Sequence, residues 1–168
     1  MWILSLIPFV LQAIAIGIDE GYFHVRRGLP KWERIGHPID TLSVMACLAF
    51  VLMVPFSKSM VGIYALLAVF SSFLVTKDEK VHKEHCPALE QWLHAVLFTL
   101  HPITLLSLGL LWPVLYEVSL PLWLSSYLTF PFSIALFIKG QLALMSLFFL
   151  YQVVFWNFLW KEKPVCKQ

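Results

Sequence analysis

Apolar residues run along this chain in five long stretches, separated by short connectors that hold most of its charge. A helix needs roughly 20 apolar residues to cross about 30 Å of hydrocarbon, and each stretch reads as such a span. The first covers Trp2 to Ile18, its helix continuing to Arg27, where Gly28 offers a stop and Pro30 follows. The second covers Pro38 to Val54 and ends at Pro55; the third runs from Ser59 to Thr76, where its helix can continue into "KDEKVHKEHC". Pro87 suits the first turn of a fourth helix that extends to Trp112. A segment rich in Pro, Trp and Ser, residues 113–131, reads as an interfacial or re-entrant loop. The fifth span covers Phe132 to Trp160.

Composition agrees with that pattern. Of 168 residues, 60% are hydrophobic and 13% charged, and the mean hydropathy is +0.79. Soluble domains carry about a quarter charged residues, and a water-soluble fold has nowhere to put so much apolar surface. The expected fold is therefore an all-α integral membrane protein. It forms a single bundle of about five transmembrane helices over residues 1–168, with no room for a separate soluble domain. The N-terminus lacks a basic region and a small-residue cleavage site, so it reads as a retained first span. Cys47, Cys86 and Cys166 are odd in number and show no CxxC spacing, which does not suggest a disulfide framework.

The charge is distributed unevenly. The connectors after spans one and three, together with the C-terminal tail, hold ten of the twelve Lys and Arg residues. The opposite connectors hold Lys58, and Lys139 lies inside the fifth span, where its stem can snorkel outward. The positive-inside rule then places the N-terminus outside and the C-terminus in the cytoplasm, as in a multi-pass protein of a bacterial inner membrane. Basic residues beside spans, with no soluble binding module, argue against nucleic acid as a partner.

The same face collects the ligand chemistry. Segments 19–40 and 77–94 contain five of the six histidines and eight of the ten acids. On helices, side chains three or four apart share a face. Glu20 and His24 are so related, as are His37 and Asp40, and as are Asp78, His82 and His85. Glu90, His94 and His101 fall within roughly a 40° arc. Imidazole and carboxylate together suit iron, zinc or manganese, and facing helices can supply them from several directions. The expected site is thus a His/carboxylate centre for a divalent metal, with ligands enough for two ions. Glu20 and Glu90 are also the candidate general bases. His101 sits deeper in the bilayer, beside Pro102, which is expected to kink the helix. Plain readings remain for some of these groups: His85, Glu33 and Glu84 as solvated interfacial residues, Asp19 and Glu79 as charge balance. Cys86 reads as a capping residue before Pro87, and the aromatics of the fifth span as lipid-facing and interfacial packing.

Soluble metal motifs are absent: there is no His-Glu-x-x-His and no paired Glu-x-x-His. The layout resembles that of membrane histidine-box hydroxylases and desaturases, without their closely spaced boxes, so no residue role follows from it. Three functions fit. The first is a metal-dependent enzyme acting on a lipid, quinone or other membrane-soluble substrate. It would be oxidative with iron and an electron donor, or hydrolytic with zinc. The second is a metal-ion transporter, which the scarcity of polar residues in the outer half of the spans disfavours. The third is a b-type haem protein with two axial histidines.

Overall fold

The computed structural model describes residues 2–77, 79, 86–119 and 131–161. Those residues form helices and no strands. The chain enters through a 3₁₀ turn, Trp2–Leu6, and continues as α1, Ile7–Ile18, then a π-helical turn, Asp19–His24, and α2, Val25–Arg27. There follow α3, Lys31–Met53; α4, Lys58–Leu74; α5, Ala88–Leu115; and α6, Pro131–Val154, which ends in a second π-helical turn, Phe155–Leu159. Four helices are long and apolar enough to cross a membrane: Leu4–Arg27, Lys31–Met53, Ala88–Leu115 and Ser133–Leu159. α4 is shorter, 17 residues, or about 26 Å of rise.

Gly28 ends the first helix with φ at +78°, a conformation that L side chains rarely adopt. Its N–H donates to the His24 carbonyl at 2.7 Å, and Trp160 packs over it. The turn is closed by Arg34, whose Nε donates to the Leu29 carbonyl at 2.7 Å. α3 then starts at Lys31, seven residues before the expected start at Pro38, which lies inside the helix. The early turns hold because Glu33 and Gly36 are buried there, Glu33 against Arg27.

α5 likewise overruns its expected end at Trp112, passing through Pro102 and Pro113 to Leu115. Its C-terminal end is anchored to that of α3. Trp112 Nε1 donates to the Val54 carbonyl and the Tyr116 hydroxyl to the Leu52 carbonyl, each at 2.9 Å, satisfying carbonyls that a helix end leaves open.

The helices bury one apolar core at one end of the bundle. Leu48 and Val51 of α3, Leu108, Leu111 and Trp112 of α5, and Ile134 and Ile138 of α6 lie at its centre, joined by Phe9 of α1 and Tyr64 of α4. Tyr64 lies across Gly109, so close that a Cβ there would stand 2.8 Å from its ring. The outward faces are apolar too: Leu66, Val69, Phe70 and Phe73 of α4 are all more than half exposed. Such a surface suits hydrocarbon rather than water. From this core the chain carries α1, α3, α5 and α6 to the opposite end, where polar side chains are buried instead.

Candidate metal centre

The centre begins with the π-helical turn. In a π-helix the backbone N–H reaches the carbonyl five residues back, and Val25 N–H does reach the Glu20 carbonyl. The wider turn brings positions four and five apart onto one face. His24 therefore meets both acids before it: Glu20 Oε2 lies 3.1 Å from Nδ1 and Asp19 Oδ2 lies 3.3 Å from Nε2. Spacing by three and four reveals the first contact and hides the second. Asp19, expected only to balance nearby cations, is instead buried at the middle of the cluster.

α5 supplies the facing wall. Its first turns bury Glu90 and His94. His94 Nε2 donates to Asp19 Oδ1 at 3.0 Å, and Glu90 Oε1 lies 3.8 Å from His24 Nε2. One ligand atom from each of Asp19, His24, Glu90 and His94 falls within 4.8 Å of all the others, and all four residues are buried. Ligands bonded to one ion at about 2.0–2.2 Å stand about 3.0–3.5 Å apart as neighbours. The 3.0 and 3.3 Å gaps to Asp19 fall in that range, while the 3.8 Å between His24 and Glu90 exceeds it, so an ion here would draw Glu90 inward.

The orientation of the His24 ring points the same way. Nδ1–H donates to Glu20 Oε2, and Trp156 Nε1–H donates to Glu20 Oε1. Glu20 is thus held on both oxygens and orients the imidazole so that Nε2 faces the interior of the cluster. Nε2 makes no hydrogen bond among the described residues, yet faces Asp19 and Glu90. A lone pair aimed at two carboxylates is repulsive unless a cation or proton lies between them. A carboxylate that orients a ligating imidazole through its other nitrogen is the common outer-shell arrangement of metal sites.

Arg27 Nη2 donates to Glu33 Oε2 and to Glu90 Oε1, each at 2.9 Å. Glu33, read above as a solvated residue, is fully buried. Asp19, Glu20, Glu33 and Glu90 are four buried carboxylates gathered around Arg27 and the His24 and His94 rings. Burying charge is costly unless it is paired, so acids gathered this closely would stabilise a cation bound among them.

The other expected ligands fall as follows. His37, partly buried on α3, closes a group with Glu20 and His24 within 4.8 Å, its ring centroid 4.8 Å from that of His24. Asp40 and His101 belong to neither group. Asp40 pairs with Lys77 at 2.6 Å. His101 is buried between Gln12, whose Nε2 donates to Nδ1 at 3.1 Å, and Ser71, 3.0 Å from Nε2. Both its nitrogens are occupied, and Ser71 passes the chain on to Ser43 at 2.7 Å. Asp78, His82 and His85 lie outside the described residues. Arg27, Glu33 and Trp156 were missed as parts of the site; Trp156, read as lipid-facing, is 1% exposed. The acid-rich first helix end could have suggested Arg27 as a counter-charge, but nothing in the sequence marks Trp156.

A cleft of about 110 Å³ opens beside the cluster, bounded by Asp19, Glu20, His37 and His94 and continuing past Ile16, Val44 and Met145. The site thus joins buried acid, imidazole and an apolar approach. A comparison with protein-family models, curated proteins and solved structures finds no match for this chain.

Proposed function

We propose that the protein is a membrane-embedded metalloenzyme that holds a divalent cation between Asp19, His24, Glu90 and His94. It acts there on a lipid or other membrane-soluble substrate. The observation that carries this reading is His24 Nε2, buried, without a hydrogen bond among the described residues and facing two carboxylates. Two imidazoles with carboxylates suit iron, zinc or manganese. A bound ion supplies Lewis-acid chemistry, and iron adds redox chemistry, for which an electron donor is needed. We favour the oxidative branch, a hydroxylase, desaturase or quinol oxidase, with zinc-dependent hydrolysis as the alternative.

The residues have separable roles in this reading. Glu20, expected as a ligand or base, becomes the group that fixes His24, with Trp156 holding it in place. Arg27 restrains Glu90 and neutralises part of its charge. The expectation of two ions narrows to one, because the second group, Glu20, His24 and His37, shares the His24 ring and needs its Nδ1 proton removed. A haem is disfavoured because Asp19 reaches both His24 and His94, filling the space a macrocycle would take between them. We also propose five membrane crossings, α4 being the short one, with the centre and the C-terminus on the cytoplasmic side of a bacterial inner membrane. The support is the concentration of Lys and Arg in the connectors at that end.

Elemental analysis of protein purified without added metal tests the assignment. About one iron, zinc or manganese per chain is expected, and His94→Ala and Asp19→Asn should each lose it while the protein still inserts and folds. Full occupancy in both variants, or no transition metal in the wild type, would overturn it.

A further inference from the structure

The approach to the centre has a definite shape. The cleft beside the cluster and a second cavity of about 50 Å³ lie side by side, with Gln12, Ile16, Val44 and Met145 on the wall of both. The second continues toward Leu48 and Leu108 in the apolar core. Together they form a narrow track, polar at one end and apolar along its length.

The track lies where two spanning helices part. α1 and α6 meet edge-to-face through Phe9 and Phe137, centroids 5.2 Å apart, and the two helix ends meet again through Glu20 and Trp156. Between these points they scarcely touch. Leu144, on the rim of the second cavity, is 51% exposed. In a bilayer such a gap opens sideways into hydrocarbon.

Two further features limit what can enter. At about 110 and 50 Å³ the two cavities have room for the head and part of a single chain, whose remainder would lie in the lateral gap. Its polar end is lined by the carboxyl groups of Asp19 and Glu20, both buried, a setting that disfavours an acidic head group. A neutral oxygen group is not repelled. Gln12 is nine-tenths buried between the two cavities, and its Oε1 has no hydrogen-bond partner among the described residues. It is an acceptor placed where a ligand hydroxyl could satisfy it.

We propose that the gap between α1 and α6 is the lateral entrance for a single-chain lipid with a small uncharged oxygen head, of the long-chain alcohol type. Its head reaches the Asp19/His94 end while its chain lies along Ile16, Val44 and Met145. This assignment rests on the metal-centre reading for its chemistry, but the track stands on its own geometry.

The test uses the full-length protein in lipid nanodiscs and a hexadecanol carrying a terminal diazirine, with the matching hexadecanoic acid as comparison. After irradiation, mass spectrometry should place the alcohol label on peptides covering residues 8–20 and 140–150. Excess unlabelled hexadecanol should suppress it and hexadecanoic acid at pH 8 should not. Met145→Trp should cut the labelling at least tenfold at unchanged metal content; Val44→Phe, a smaller change, serves if that variant does not fold. Label spread over exposed faces such as Leu66 and Phe73, or indifferent to both substitutions, would overturn the entrance. Competition by the acid equal to that by the alcohol would overturn the neutral head. Metal-stripped protein should be labelled at the same positions, so failure of the metal reading leaves a different signature from failure of the track.

Discussion

Asp19 and His94, 75 positions apart, meet at 3.0 Å in the interior of a bundle whose outer surface is apolar. Their meeting joins the end of the first spanning helix to the start of α5. It is also where two imidazoles and two carboxylates come close enough for one ion. Here the His94 Nε2–H donates a hydrogen bond to Asp19; for that nitrogen to ligate a cation, the ring would carry its proton on Nδ1 instead.

Trp156 tests the outer shell of the centre. Trp156→Phe removes the N–H that holds Glu20 while keeping an aromatic ring, and Glu20 then fixes His24 less firmly. Loss of such a partner commonly costs about 10–100-fold in metal affinity. Competition with a calibrated chelator should show that loss with the stoichiometry intact. An unchanged affinity would remove Glu20 and Trp156 from the site.

Arg27 tests the charge balance. Arg27→Met leaves Glu33 and Glu90 buried without their cation, and breaking a buried pair in this way costs about 3–5 kcal/mol. Metal-free protein in detergent should unfold at a clearly lower temperature, and bound divalent metal should restore part of the loss by supplying the missing positive charge. A variant as stable as the parent would mean that these carboxylates are protonated or solvated.

His101 separates structure from ligation. His101→Phe should leave the bound metal unchanged while lowering stability, since Gln12 and Ser71 each lose a partner and a buried polar group so stranded costs about 1–3 kcal/mol. Elemental analysis and a melting curve read the two effects independently. Loss of metal here would restore the ligand role that helical spacing first suggested.

Cys86, just before α5, should be a slow thiol. Burial pushes its pKa up to about 12, with Arg27 pulling it down and Glu90 pushing it further up. In metal-stripped protein carrying Cys166→Ser, alkylation at residue 86 should be negligible at pH 7 and rise about tenfold per pH unit above it. The sign for stability follows: the protonated thiol favours the folded state fully below its unfolded pKa of 9.0, and that contribution fades as pH climbs toward about 12. Rapid labelling at neutral pH would contradict the burial.

Much of the architecture is legible in the sequence. The apolar runs mark the helices because hydrocarbon admits little else, and Gly28 and Pro55 mark where helices stop. The boundaries that shifted did so for tertiary reasons. α3 begins early because Arg27 holds Glu33 in its first turn, and α5 outlasts Pro113 because Trp112 and Tyr116 are tied to the end of α3. The sequence also shows that acids and histidines crowd one end of the bundle, since charge in so apolar a chain must sit near the connectors or be paired.

Which of those residues meet was decided by tertiary structure alone. A π-helical turn changes the residue period locally, and this brings Asp19 rather than Glu20 to the open nitrogen of His24. Trp156 reaches Glu20 across 136 positions, a distance over which no periodicity carries information. Spacing along one helix says which side chains share a face; it does not say which face turns inward or what stands opposite. For this chain that choice places His101 in a hydrogen-bonded chain with Gln12 and Ser71, and His94 beside the carboxylates.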